Sequence, residues 1–368
     1  METLPLSGIR ILDLSRVLAG PLAAMTLGDL GADVIKVERP QGGDETRGWG
    51  PPFDPRGESA YYLSVNRNKL SAALDLGSPD DVAVVTELID GADVVLDNFR
   101  PGTLERRGIA IADILARRPG LIWCTITGFG PESDRPGYDF VVQAESGWMA
   151  ITGDPAGDPM KVGVALADVL AGKDATIAIL AQLVGRGRRR AASHRRVFVS
   201  LASSAVRALV NVAQNALVSG QEARRWGNAH ANLVPYQLFD AADRPIVIAV
   251  GSDAQWRNCA LALGLDDLVN DASLASNAAR LANRDRIVAA IGARISAKPA
   301  AHWLTTLAHA GVPSGVVRSV LEALHDVDAS PLTGVAPNAP GTVRLPPPLL
   351  DEHGALVRQH GWESFRLR

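Results

Sequence analysis

The sequence predicts a doubly wound α/β fold built on a parallel sheet, joined to a second, smaller α/β unit. Three observations predict it. Apolar runs of strand length alternate with segments of helical periodicity through the first half of the chain. The alternation begins at once, with a strand, a helix and a second strand inside residues 9–38. The rhythm breaks near residue 185, at the basic run GRGRRRAASHRR, and a differently patterned region follows.

IRILDLS (9–15) is the first buried strand. PLAAMTLGDLGA (21–32) has helical spacing, and Pro21 suits a first helical turn, where its missing N–H is no loss. DVIKVE (33–38) closes the βαβ unit. KLSAALDL (69–76), ADVVLDNF (92–99) and LIWCTITGF (121–129) read as further strands, with helices at SPDDVAVVTELIDG (78–91) and TLERRGIAIADILARR (103–118). The basic run 185–196 reads as a solvated linker or as a docking patch for an anionic partner. An apolar segment, VFVSLASSAVRALVNVAQNAL, comes next. Past the turn region GNAHANLVPYQLF (227–239) lie a strand, RPIVIAVG (244–251), and mostly helical sequence. GVPSGVVRSVLEAL (311–324) is strand-like and then helical. The Pro-rich tail VAPNAPGTVRLPPPLLDEHG cannot form a regular helix and is expected to pack along a surface.

Of 368 residues, 47% are hydrophobic and 21% charged, which is globular composition with length enough for two domains. A net charge of −3 argues against a nucleic-acid binder. Cys124 and Cys259 stand far apart, with neither a disulfide framework nor a metal-like spacing, and fit a reducing compartment. The N-terminus lacks a secretory pattern, and no apolar run reaches the ~18–20 residues that span a bilayer. A cytoplasmic globular protein without a metal site or membrane segment is expected.

The first strand is followed by RVLAGPLA, not by the G-x-G-x-x-G that lets a backbone approach a dinucleotide's pyrophosphate. Glu38 would suit a ribose hydroxyl, but the turn does not suit the diphosphate. This argues against an NAD-dependent enzyme. Partners for a nucleotide-like anion gather elsewhere. Arg39 follows the second strand, Asn66, Asn68 and Lys69 lie in NRNK, and Asn98, Phe99 and Arg100 end ADVVLDNFR, with Arg106 beyond. Open α/β sheets bind ligands beyond the carboxyl ends of their strands. Guanidinium and ammonium groups suit phosphate there, and a flat π face suits adenine.

In GVALADVLAG (163–172) one carboxylate, Asp168, interrupts an apolar segment at the start of a helical pattern. Two readings share this position. Asp is a good N-cap, worth ~1 kcal/mol. A carboxylate there can also attack an activated acyl group, with the helix N-terminus offering N–H groups to the oxyanion.

LSGIRILDLSRVLAGPLAAMTLGDLGADVIKVE, NRNKLSAALDL, DNFRPGTLERRGI and RPGYD followed by GVALADVLAG resemble the family III CoA-transferases, the CaiB/BaiF family. That family includes formyl-CoA and carnitine CoA-transferases and α-methylacyl-CoA racemases. The likeness runs nearly end to end, through GNAHANLVPY and GVPSGVV. It implies a large Rossmann-like, CoA-binding domain over 1–190, completed by 315–368, a linker at 191–225 and a small domain at 226–314. It also implies an interlocked homodimer. The catalytic aspartate falls on Asp168. CoA contacts fall on Leu18, Ala19, Arg39, Lys69, Asn98, Phe99, Arg100, Arg106, Arg135 and Tyr138, and substrate contacts on Gly227, His230 and Tyr236. His230 on its own reads first as a turn histidine bonded to backbone and otherwise as a substrate-orienting group, and Tyr236 poses the same choice.

The implied reaction moves CoA from an acyl-CoA to a small carboxylic acid through an aspartyl-CoA thioester, with CoA as substrate and no resident cofactor. Racemisation of a 2-methylacyl-CoA is the alternative, but the racemases' histidine is replaced by Tyr138, and all seven histidines lie at or after His194. A tyrosine with a pKa near 10 is a poor base at neutral pH. A CoA-binding homologue without activity is a third reading, opposed by the intact Asp168. Leu18 stands where the oxalate enzymes carry glutamine, and GNAHANLVPY replaces their glycine run. Both departures argue against oxalate as acceptor and leave short dicarboxylates and other small acids open.

Overall fold

The computed structural model describes residues 3–187 and 195–368. Most of the basic run, 188–194, lies outside the described residues, so its linker and docking readings are not addressed. Contacts divide the chain into two units. Unit 1 comprises residues 1–149, 161–221 and 327–368, and unit 2 comprises 150–160 and 222–326.

Unit 1 is ordered β1 (Arg10–Asp13), α1 (Ala19–Asp29), β2 (Asp33–Glu38), α2 (Ala60–Leu63), β3 (Lys69–Ala73), α3 (Pro79–Gly91), β4 (Val94–Asp97), α4 (Ile111–Arg117) and β5 (Ile122–Thr127). Then come α5 (Asp139–Glu145), the turn-length α6 (Trp148–Ile151), whose last two residues fall in unit 2, α7 (Leu166–Val184), β6 (Arg196–Ser200), α8 (Leu201–Arg207) and α9 (Val210–Ser219). The six strands form one parallel sheet in the order β3-β2-β1-β4-β5-β6. Parallel strands are covered on both faces, so they read as unbroken apolar runs. Ile11, Val34, Val94 and Ile122 face α1 and α7, while Leu12, Ile35, Val95 and Trp123 face α3 and α4. Strand order reverses between β1 and β4, and a crevice therefore opens beyond their carboxyl ends.

Three sequence expectations need correction. The span 191–225 is not a linker: VFVS lies in β6, which extends the sheet beside β5, and α8 and α9 follow in unit 1. Only part of 103–118 is α-helix, because Gly108, at φ +83°, separates a 3₁₀ turn from α4. Residues 315–326 do not return to the large unit. β9 (Ser314–Val316) pairs antiparallel with β8 (Pro245–Ala249), which pairs with β7 (Tyr236–Asp240), and Arg244 grips Glu322 through two 3.0 Å bonds.

Unit 2 packs that three-stranded sheet against helices α10 (Asp253–Ala262), α11 (Asp266–Val269), α12 (Asn277–Ala282), α13 (Arg284–Ile295) and α14 (Ala300–His309), with α15 (Val320–Leu324) after β9. The chain then re-enters unit 1 through the short pair β10 (Ala329–Ser330) and β11 (Gly334–Val335) and ends in α16 (Gly354–His360) and α17 (Ser364–Leu367). The Pro-rich tail forms no helix before Gly354. It is not merely superficial: Pro347 and Pro348 are buried, and Asn68 Oδ1 accepts the Arg344 and Leu345 N–H groups. Among the described residues no helix is long and apolar enough to cross a membrane.

Candidate active site

The crevice is an open cleft of about 930 Å³ in unit 1. The segment after β1 and the segment after β4 form one wall, and the loop into α5 and the first turn of α7 form the other. Asp168 is not the cap of α7. Ala165 holds that position and offers no side-chain hydrogen bond, which places Asp168 third in the helix. The cap comes from α5 instead. Asp139 Oδ1 accepts the N–H of Ala167 at 2.8 Å and of Asp168 at 3.3 Å, and Gln143 Nε2 holds Oδ2 at 2.6 Å. Asp139 thus occupies the first-turn N–H groups that α7 was expected to offer an oxyanion.

The Asp168 carboxyl is half-buried, and among the described residues no cation pairs with it. Burial, with the Asp139 charge added, raises it to about 7. Tyr61 of α2 feels the same field. Burial and the charges of Asp168, Asp139 and Asp44 push its phenol up to about 12, so it remains a proton donor at neutral pH.

The opposite wall is held from below. Asn98 accepts the Arg16 N–H at 3.0 Å and donates to the Arg16 carbonyl at 2.7 Å. Asp44 accepts the Val17 N–H at 3.2 and 3.3 Å. Val17 sits at φ +72°, a left-handed conformation that costs a β-branched residue roughly 1–3 kcal/mol. Val17 is followed by Leu18, the unaided N-cap of α1. The N–H groups of Ala19 and Gly20, which open α1, have no partner among the described residues. The Arg16 guanidinium lies 5.5 Å from the Phe99 ring centroid and 3.7 Å from Glu45.

Two close approaches shape the cleft. A Cβ on Gly172 would stand 2.6 Å from the Ala19 carbonyl oxygen, so only glycine lets α7 press against the start of α1. Gly128 and Gly137 meet backbone to backbone: a Cβ on Gly128 would stand 2.4 Å from the Gly137 Cα and one on Gly137 2.1 Å from the Gly128 Cα, and this close approach fixes the loop that leads through Tyr138 into α5.

The family model described as CoA-transferase family III matches residues 6–353. The chain belongs to CoA-transferase family III. It is 44% identical over 327 residues to succinyl-CoA:glutarate CoA-transferase of Mus musculus, covering 88% of this chain and 74% of that protein. It is 42% identical to succinate–glutarate CoA-transferase of Agrobacterium fabrum, covering 88% and 82%. A crystal structure of a CAIB/BAIF family protein from Brucella suis superposes with a TM-score of 0.85 at 37% identity, over 97% of this chain and 99% of that one.

In this family III member the cleft gathers seven of the residues singled out in the sequence: Ala19, Asn98, Phe99, Arg100, Arg135, Tyr138 and Asp168. Four of the expected CoA contacts stand apart from its lining. Lys69 is fully buried and spends its ammonium on Asp13, Asn66 and the Pro21 carbonyl, each at 2.9 Å, so it is a core ion-pair partner rather than a ligand contact. Leu18 is the cap just described. Arg39 is exposed and donates to the Gly43 carbonyl, and Arg106 is exposed and donates to Thr103. Asn66 and Asn68 are likewise buried and bonded within the core: Asn66 donates to the Tyr62 carbonyl and accepts from Lys69, and Asn68 donates to the Asp29 carboxylate and the Thr342 carbonyl. Gly227, His230 and Tyr236 belong to unit 2. There Asn232 N–H donates to His230 Nδ1 at 3.0 Å, which is the turn arrangement, and the His230 and Tyr236 rings lie 5.1 Å apart at a tilt of 56°. Sequence reasoning missed Arg16, Val17, Asp44, Glu45, Tyr61 and Asp139. Only Asp139 carried a signal, its place directly after Tyr138 in RPGYD.

Proposed function

We propose that the protein transfers CoA from a dicarboxylyl-CoA donor to a second short dicarboxylate, with Asp168 as the nucleophile. One observation carries this reading: a carboxylate in a cleft wall, with no paired cation among the described residues, which burial and the Asp139 charge raise to about 7, so that about half of it is ionised at neutral pH and that half is more basic than an ordinary carboxylate. Asp168 Oδ attacks the thioester carbonyl, the C–S bond breaks, and a mixed anhydride and CoA thiolate result. The thiolate then attacks the aspartyl carbonyl, giving aspartyl-CoA and releasing the donor acid. The acceptor carboxylate runs the same steps in reverse. Because Asp139 occupies the α7 N–H groups, the Ala19 and Gly20 N–H groups at the start of α1 are the donors left for the oxyanion. Phe99, Arg100 and Arg135 line the cleft where the adenine and phosphates of CoA would lie.

Succinate and glutarate are the chosen substrates because they appear in the names of the relatives. The test incubates the protein with succinyl-CoA, quenches with hydroxylamine and maps the product by mass spectrometry. A hydroxamate at Asp168 is expected. No adduct, together with exchange of the α-hydrogen of a 2-methylacyl-CoA, overturns the reading in favour of racemisation. Steady-state assays with glutarate, succinate, oxalate and acetate then rank the acceptors.

Assembly as an interlocked homodimer belongs to the same proposal. Its support is α9, whose Val210, Leu217 and Val218 are 70%, 78% and 78% exposed and call for a cover. Light scattering should return twice the 38.8 kDa of one chain. A cytoplasmic setting agrees with Cys124 and Cys259, both buried and unpaired. Substrate contact by Gly227, His230 and Tyr236 is proposed with it, and a raised KM for the acceptor in His230→Ala tests it.

A further inference from the structure

We infer that Asp44 is a positioning residue, which holds Val17 in its left-handed conformation and so aims the start of α1 into the cleft. The inference rests on the cleft being the transfer site.

Five consecutive backbone groups after β1 are bonded to side chains, four residues from different places in unit 1 holding them between them. The Ser15 N–H donates to Asp13 Oδ1 at 3.0 Å, and the Ser15 carbonyl accepts from Lys36 Nζ at 2.8 Å. The Arg16 N–H and carbonyl are both taken by Asn98. The fifth group, the Val17 N–H, goes to Asp44 alone. Up to Arg16 the segment is pinned without strain. At Val17 the chain turns through φ +72° and reaches the first residue of α1 two positions later. The bond to Asp44 falls at the one residue that would relax to negative φ if released.

Asp44 is itself held rigid. It is buried, Lys36 Nζ reaches its Oδ2 at 3.1 Å, Thr46 donates to Oδ1 through N–H at 3.1 Å and hydroxyl at 2.8 Å, and its own N–H is taken by Glu38 at 2.9 Å. A carboxylate fixed on both oxygens cannot follow Val17 if the turn relaxes. The turn must instead follow Asp44. Relaxation at Val17 would swing Leu18, Ala19 and Gly20, and with them the two unpartnered N–H groups that face the reacting carbonyl in the proposed mechanism.

The role predicts a particular coupling. Asp44→Asn weakens the anchor, because the amide oxygen still accepts from Val17 but the charge that fixes it through Lys36 is gone. The kcat for succinyl-CoA to glutarate transfer should fall roughly 30- to 100-fold, the scale of a 1 Å misplacement, with KM for succinyl-CoA within about threefold. Glycine adopts positive φ without strain, so in a Val17→Gly background the same Asp44→Asn change should cost less than about fivefold in kcat. Equal losses in the two backgrounds, or a loss carried by KM, overturn the role and leave Asp44 a fold residue. Hydrogen exchange on the unmodified protein gives a readout that does not depend on any variant folding. The Val17 amide should exchange far more slowly than the Ala19 and Gly20 amides, and equal rates overturn the anchor. The two readings fail separately. A missing Asp168 adduct in the wild-type protein removes the transfer mechanism and leaves the Val17 protection intact. Uncoupled kcat losses remove the Asp44 role and leave the adduct intact.

Discussion

The wall at the start of α1 and the wall at the start of α7 treat their neighbouring buried carboxylates in opposite ways. Beneath β1, β2 and β3, every buried acid has a cation. Asp13 meets Lys69 at 2.9 Å, Asp44 meets Lys36 at 3.1 Å, and Glu38 meets Arg47 at 2.7 Å. Burial alone would raise all three acids, but the neighbouring cations and hydrogen bonds outweigh it and hold each below the usual carboxylate range. At the first turn of α7 the partner of Asp168 is another carboxylate, Asp139, and the pKa rises to about 7. The first arrangement satisfies charge and fixes backbone. The second leaves charge unsatisfied and available to an electrophile. Asp13, Asp44 and Glu38 are withdrawn from water beside cations, whereas burial raises Asp168 and the nearby Asp139 charge raises it further.

The largest effect expected from that contrast is on activity. Asp168→Ala should lower CoA transfer by roughly 10³-fold or more, because in the proposed mechanism Asp168 is the group that forms the covalent intermediate. Far-ultraviolet circular dichroism should remain that of the wild type, since among the described residues no hydrogen bond to the Asp168 carboxylate holds the fold. Residual transfer above one part in a hundred would place the nucleophile elsewhere.

The scaffold acids should answer in stability instead. Lys69→Met leaves Asp13 buried without its main cation, and breaking one partner of a buried pair costs about 3–5 kcal/mol. Burial already pulls the Lys69 ammonium down to about 8, so the pair sits in a strongly desolvated place. A urea titration checks this: the midpoint should drop markedly in Lys69→Met. An unchanged midpoint would show that the pair contributes nothing and would erase the contrast between the walls.

That contrast was only half legible in the sequence. The βαβ opening was readable because IRILDLS and DVIKVE are buried on both faces and therefore apolar without interruption. β6 escaped notice because it is a half-buried edge strand of five residues beside a basic run. Lys69 looked like a phosphate partner because nothing local marks a buried lysine; its acid, Asp13, is 56 positions away. Asp168 looked like a cap for the same reason, since the true cap, Asp139, is 28 positions from Ala167. The boundary near 315 was misplaced because Arg244 and Glu322, 78 positions apart, tie that segment back to unit 2. Periodicity reports which face of an element is buried. It does not report which charge waits there.

The smallest effect is the one that tests the comparison most directly. A carboxyl whose folded pKa lies near 7 and whose ordinary value is 3.8 favours the folded state fully below pH 4. That contribution is lost as pH rises through about 7, where the native protein must hold an ionised, unpaired Asp168. Asp168→Asn removes the titration and keeps the shape. The variant should match the wild type near pH 4, gain on it between pH 4 and 7, and keep a constant advantage above pH 8. Because Asp168 is half-buried, water screens part of the penalty, and the plateau should be about 1–2 kcal/mol. Urea midpoints measured at each pH check it. The scaffold acids, with lowered pKa values, run the other way: their stabilisation is present above the ordinary carboxylate range and fades as pH falls through it. A flat difference across the pH range would mean that Asp168 is no less satisfied than Asp13, and the division between reactive and scaffold acids would fail on the residue that defines it.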